Sequence, residues 1–364
     1  MMKRTTSFLL LSAALSLAAS PRAWPQAQPP GAPAGSASQA NPPQNQRPPR
    51  IVVHAENVVV PVTVKDGSGH LVGDIRQEEF RILCDGVEQK IVNFSSEPVP
   101  LSAVVLLDSD LPDRSVNQVQ KSLAAIAAAF GPSDEVALVT YAQYPTTVAD
   151  FSSNNDRLFT QLKRLELGSH ATQIIVDPTT EGPTINGKPQ PMSTGIPPHG
   201  SKRSVSTKTL HDAIYSAAQM LQDRGPDRRK IIFLVSDGTN SSHNVHSLEE
   251  TLHFLLAADV SVYSISVTRS VPLGRSLVQH GQSQLEKYAA DTGGESFFAG
   301  KQRDLERLYS DLTEEARNEY TLTFTPEDIH KDQDYHSIEV RVRRPGLRIL
   351  AREGYYQSAV GVGR

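Results

Sequence analysis

From Leu101 to Leu312 two rhythms of apolar residues alternate along the chain. Ala103–Leu107 is an unbroken apolar run that ends on Asp108, and Ile231–Val235 passes through Ser236 into Asp237-Gly238. Val260–Ile265 is a third run of this type. Short runs like these, bounded by turn residues, predict strands buried on both faces. Between them, apolar residues recur every three or four positions, as in Val116, Val119, Leu123, Ile126 and Phe130, and in Leu210, Ile214, Ala217 and Leu221. The same spacing appears around Leu158–Leu165, Leu248–Leu256, Leu285–Ala290 and Leu305–Leu312, and it predicts helices with one buried face. Val136–Tyr141 and Thr146–Phe151 flank Gln143-Tyr144-Pro145 as an antiparallel pair, and Ser296–Phe298 is a short strand. The expected fold class is α/β: a mostly parallel sheet with helices on both faces.

The flanks carry only strand patterns. Residues 51–97 contain Val58–Val64, a turn at Asp66–Gly69, and two runs, Phe80–Cys84 and Gln89–Phe94, around Asp85-Gly86, a hairpin signal. Residues 319–357 contain Tyr320–Phe324, Ser337–Val342 and Leu347–Ala351. Neither flank has enough strands for a stable core alone. The two are therefore expected to form one β-sandwich, with the α/β domain, 98–318, inserted between them and a short tail at 358–364. Within that domain, residues 168–207 carry Pro178, Pro183, Pro189, Pro191, Pro197 and Pro198 and fit no regular element. They read as an irregular insertion whose ends reach the sheet edge of Asp108 and Asp237.

Lys3 and Arg4 precede the apolar run Phe8–Ala19, which is too short to span a bilayer. Residues 1–20 read as a cleavable secretory signal, and 21–50, rich in Pro, Gln and Ala, as a disordered spacer. No other run reaches transmembrane length, so the mature chain is expected to be secreted, periplasmic or associated with the cell envelope. A net charge of -4 argues against a nucleic-acid partner. The basic clusters at Arg224 and Arg228–Lys230, and at Arg341, Arg343 and Arg344, read as a helix end and an exposed strand face. Cys84 is the only cysteine, which excludes an intramolecular disulfide; its flanks predict a packed, inert thiol.

Asp108 and Asp237 fall where ligands bind in open α/β sheets, just beyond the carboxyl ends of strands. Cys84-Asp85-Gly86 with Gln89–Phe94, Pro100-Leu101-Ser102 leading to Leu107-Asp108, and Leu210–Ile214 carry a family resemblance. Ser236-Asp237-Gly238, Thr292-Gly293-Gly294 and Arg343–Leu347 with Arg352–Tyr356 extend it. Over about 51–357 the chain resembles the von Willebrand factor A-related proteins of the acidobacterial type. That resemblance implies a secreted adhesion-type module whose sheet edge holds a metal-ion-dependent adhesion site. In that site an Asp-x-Ser-x-Ser motif, a Thr and a further Asp hold magnesium, and an acidic partner side chain completes the shell.

The motif is degenerate here. It reads Asp108-Ser109-Asp110-Leu111-Pro112, the Thr position falls on Lys208 between Thr207 and Thr209, and Asp237 is kept. Three outcomes stay open: Asp108, Asp110 and Asp237 hold calcium or magnesium; the Lys208 ammonium replaces the ion as a fixed charge; or the site is lost. The expected partner-binding residues are Asp108, Asp110, Lys208, Thr209 and Asp237. An acidic partner would be repelled by Asp110 unless a cation intervenes.

No nucleophile elbow, His-Glu-x-x-His, phosphate loop or Cys-x-x-Cys is present, and His243 and His246 read as solvated. The expected function is therefore non-enzymatic binding of a protein partner. The alternative is a structural or assembly protein of the envelope that works through β-sandwich edges without metal.

Overall fold

The computed structural model describes residues 57–168, 207–267, 277–326 and 334–356, with two short strand pieces at 184–185 and 188–189. The signal segment, the spacer, the tail and nearly all of the 168–207 insertion lie outside the described residues.

The chain enters through four strands, β1 (Val58–Lys65), β2 (Phe80–Cys84), β3 (Val87–Gln89) and β4 (Ile91–Ser95). Then follow β5 (Leu101–Asp108), α1 (Asp113–Ala129), β6 (Glu135–Tyr141), β7 (Pro145–Ser152) and α2 (Asn155–Arg164). After the small pair β8 (Thr184–Ile185) and β9 (Lys188–Pro189) come α3 (Leu210–Gln222), β10 (Arg229–Ser236), α4 (Leu248–Ala257) and β11 (Val260–Ser266). Next are α5 (Leu277–Asp291), β12 (Ser296–Phe298) and α6 (Gln302–Arg317). The chain returns through β13 (Tyr320–Phe324), β14 (Tyr335–Val342), β15 (Arg348–Ala351) and β16 (Gly354–Tyr356).

The central sheet has the order β12-β11-β10-β5-β6-β7, parallel except for the β6–β7 pair. All eight residues of β5 are buried, because helices cover both of its faces. Leu101, Ala103, Val105 and Leu107 face the core shared with α1, α2 and α6. Val104 and Leu106 face the core shared with α3, α4 and α5. The strand order reverses between β5 and β10, so the crevice at their carboxyl ends is the topological switch point of the sheet.

The two flanking segments interleave strand by strand, as expected. One sheet runs β15-β1-β13-β4 and the other β16-β14-β2-β3. Val60, Val62, Ile82, Tyr320, Leu322 and Phe324 fill one core between them. Asp85 (φ 50) and Gly86 (φ 80) both adopt the left-handed conformation that a two-residue hairpin between β2 and β3 requires. The fold is therefore an α/β domain set into a β-sandwich.

Two details differ from expectation. Gln89–Phe94 is not one strand: Gln89 pairs with Ile82 in one sheet, whereas Ile91–Ser95 pairs with β13 in the other. The chain crosses the sandwich at Lys90, a corner that leaves the apolar pattern unbroken. Arg229 is not at an exposed helix end either. It is 7 % exposed, ion-paired with the buried Glu319 at 2.6 Å, and donates to the Ala316 carbonyl. A second cluster joins the lobes: Lys65, at the end of β1, pairs in buried contacts with Glu295 and with Glu315, and the exposed Arg348 pairs with Glu295 from outside.

Candidate functional site

Register places the site. Val235 pairs with Leu107, so Ser236 and Asp108 end neighbouring parallel strands side by side. Gly238 (φ 73) then turns the chain off β10 in a left-handed conformation, with its N–H donating to Ser236 Oγ at 2.9 Å. From the other side, Thr209 N–H donates to the Ala142 carbonyl and Ser241 N–H to the Lys208 carbonyl, which bring the segment before α3 across the sheet edge.

Lys208 stands at the centre. Its Nζ donates to Asp108 Oδ2 at 2.8 Å and to both carboxylate oxygens of Asp237, at 3.1 and 3.0 Å. Lys208 is 3 % exposed, and both aspartates are buried. Ser236 Oγ donates to Asp108 Oδ2 at 3.1 Å, so the Tyr141 hydroxyl, 2.7 Å from Ser236 Oγ, donates to the serine. Asp110 and Thr239 add backbone N–H bonds to Asp108 and Asp237.

Burial pushes the Asp108 carboxyl up to about 6, because the ammonium of Lys208 offsets only part of the lost hydration and the Asp237 charge opposes ionisation. Burial pulls Lys208 down, but the two facing carboxylates outweigh it and hold the ammonium above the ordinary lysine value.

These residues do not fit a divalent ion. The space between the two retained carboxylates contains a fixed positive charge, and Pro112, the N-cap of α1, has no side-chain ligand atom. Of the residues singled out from sequence, Asp108, Lys208 and Asp237 come together. Asp110 joins through its backbone, with its side chain half-buried. Thr209 turns away: its hydroxyl donates to the Gln143 carbonyl at 2.8 Å.

The loop after β10 is locked onto α3. Asn240 and Asn244 accept from the backbone N–H groups of Leu210 and His211, the first-turn donors that a helix leaves open. In return, the Asp212 carboxylate accepts from the N–H groups of Val245 and His246 and bonds the His246 ring at 2.9 Å. His246 also stacks on Tyr215, with ring centroids 3.8 Å apart, so it is a structural group rather than a solvated one.

Sequence reasoning missed two residues on this face. Tyr144, at the tip between β6 and β7, is 70 % exposed, and Val245, in the locked loop, is 84 % exposed. Their exposure is a property of the fold, with no signal in the sequence. The insertion begins at this edge too, since Gly168 N–H donates to the Ser109 carbonyl.

No family model matches the chain, and no curated protein matches it. Among solved structures, a von Willebrand factor type A protein from Catenulispora acidiphila is similar over 84% of this chain and 76% of its own, with 8% identity and a TM-score of 0.43. BatB from Bacteroides thetaiotaomicron is similar over 59% of this chain and 98% of its own, with 11% identity and a TM-score of 0.39. Proximal thread matrix protein 1 from the mussel byssus is similar over 62% of this chain, with 12% identity and a TM-score of 0.41. This chain spans about half of that protein's length, 49%. At these scores the likenesses decide nothing about the site, and the fold, an α/β domain with a mostly parallel sheet set into a β-sandwich, is read from this chain's own strand order.

Proposed function

We propose that this chain is a non-enzymatic protein-binding module that recognises its partner at the carboxyl edge of the central sheet without a metal ion. The observation that carries this reading is Lys208, whose ammonium bridges Asp108 and Asp237 where an adhesion-site ion would otherwise stand. With the cation supplied by the chain, no coordination position is left for an acidic side chain of the partner. Two carboxylates and one ammonium leave the cluster net negative, and Asp110 adds to that charge. A partner surface that is apolar with basic groups at its rim suits this edge. Tyr144 and Val245 would be its apolar contacts, in line with the weight that exposed aromatic residues carry in interfaces.

The same reading keeps the expected limits, 51–97 and 319–357 for the sandwich and 98–318 for the inserted domain, and a secreted or envelope location. Among the described residues, no helix is long and apolar enough to cross a membrane.

Edge assembly is the second reading. Strands β3 and β4 each pair on one side only, and they expose Val87 (43 %) and Val92 (51 %). One experiment separates the two. Proteins of the source envelope are crosslinked to the full chain in the presence of a chelator. Top-face recognition requires that a captured protein be kept under chelation, kept by Val92→Lys, and lost with Tyr144→Ser combined with Val245→Ser. Loss on chelation that magnesium or calcium restores and zinc does not would overturn the metal-free reading, and loss with Val92→Lys alone would favour edge assembly.

A further inference from the structure

A second cluster of ligating side chains lies in the sandwich, away from the sheet edge. Cys84 Sγ, an Asp85 carboxylate oxygen and a His336 ring nitrogen all lie within 4.8 Å of one another. Cys84 ends β2, Asp85 opens the hairpin turn, and His336 comes from the neighbouring strand β14. Cys84 and His336 have no solvent exposure, whereas Asp85 is partly open to water.

The carboxylate is already oriented. Asp85 Oδ1 accepts from the Ser337 N–H at 2.9 Å and from its hydroxyl at 3.1 Å, which turns Oδ2 toward His336 Nδ1 at 2.7 Å. The Tyr355 hydroxyl, 3.9 Å from the sulfur, is a fourth polar atom beside the group.

We infer that Cys84, Asp85 and His336 form a binding site for a zinc-class transition-metal ion at one end of the sandwich, independent of the sheet-edge site. One thiolate, one imidazole and one carboxylate match the borderline-soft preference of zinc, whereas calcium and magnesium prefer oxygen alone. Ligand atoms on a tetrahedral zinc stand roughly 3.3–3.7 Å apart. The His336–Asp85 contact, 2.7 Å, must therefore open by less than about 1 Å, and the sulfur, within 4.8 Å of the other two ligand atoms, must close in by up to about 1.5 Å through side-chain rotation. Two hydrogen-bonded strands and a tight turn hold the three ligands, so little ordering is left for binding to supply. Ser337 fixes the carboxylate from outside, the role outer-shell partners play in metal sites. Partly exposed Asp85 marks the path of entry.

The test uses the full chain, chelator-stripped and reduced. Zinc titration should show one saturable equivalent, and cobalt in its place should give a near-ultraviolet thiolate-to-cobalt absorption band. That band should vanish in Cys84→Ser and persist in Asp108→Asn, and His336→Gln should weaken zinc binding about tenfold or more. Absence of the band in the unsubstituted chain overturns the inference, whether or not any variant folds. So does zinc binding that Cys84→Ser leaves unchanged, or that a folded Asp108→Asn chain lacks.

Discussion

Lys208 Nζ and Asp108 Oδ2 meet at 2.8 Å from opposite sides of the sheet edge, with a hundred residues of chain between them. The contact closes the crevice between β5 and β10 at the place where an open α/β sheet offers its ligand site. It also makes the site's charge an internal property of the chain. Two carboxylates that would repel each other are held by one ammonium, and hydrogen bonds from Ser236, Asp110 and Thr239 take up further oxygen lone pairs.

Removing that ammonium should be costly. Lys208→Met leaves two buried carboxylates face to face without a cation, and breaking a buried pair this way costs about 3–5 kcal/mol. Urea unfolding near neutral pH should show this loss. The deficit should shrink at about pH 5, because protonation of one carboxyl relieves the repulsion. A loss that stays constant with pH would mean the ammonium contributes packing alone.

Stability should fall as pH rises. Burial raises Asp108 to about 6 from 3.8, and burial with the Glu295 charge raises Glu315 to about 8 from 4.5. Both carboxyls hold their proton more tightly in the folded chain than in the unfolded one. Their contributions are therefore complete below the unfolded values and are lost as pH climbs through about 6 and then about 8. Unfolding free energies at about pH 5, 7 and 9 should descend in that order, and Glu315→Gln should flatten the upper half. A rise across the same range would show that Lys65 and Lys208 stabilise the ionised forms more strongly than burial disfavours them.

Asp212 anchors the locked loop through the N–H groups of Val245 and His246. In Asp212→Ala these amides lose their acceptor, a cost of about 1–3 kcal/mol if they stay buried and less if the loop opens to water. Hydrogen exchange at residues 245 and 246 should accelerate while exchange in β5 and β10 stays slow. Unchanged exchange at both positions would show that Asn240 and Asn244 hold the loop alone.

The central sheet was legible in sequence because burial on both faces leaves unbroken apolar runs, as in Ala103–Leu107 and Ile231–Val235. The interleaved sandwich was legible from strand counting. The crossing at Lys90 was not, since Gln89–Phe94 keeps a strand-like composition through a corner at which only the pairing partner changes. At the site, the family resemblance, counted back from Asp212, put Lys208 at the threonine position. That its ammonium reaches both Asp108 and Asp237, while Thr209 turns to the Gln143 carbonyl, depends on side-chain direction at the start of α3, which periodicity does not encode. Exposure of Tyr144 and Val245 likewise depends on which neighbours cover them. Burial of Arg229 arises from pairing with Glu319, ninety residues onward in the chain.

Magnesium calorimetry on the full chain tests the replacement of the ion by Lys208 most directly, because magnesium prefers oxygen ligands and bypasses the thiol site. The unsubstituted chain should show no saturable binding, and Lys208→Ala should gain one site that a further Asp237→Asn removes. Saturable magnesium binding by the unsubstituted chain that Asp108→Ala abolishes would contradict the replacement, and so would a Lys208→Ala chain that folds yet binds none.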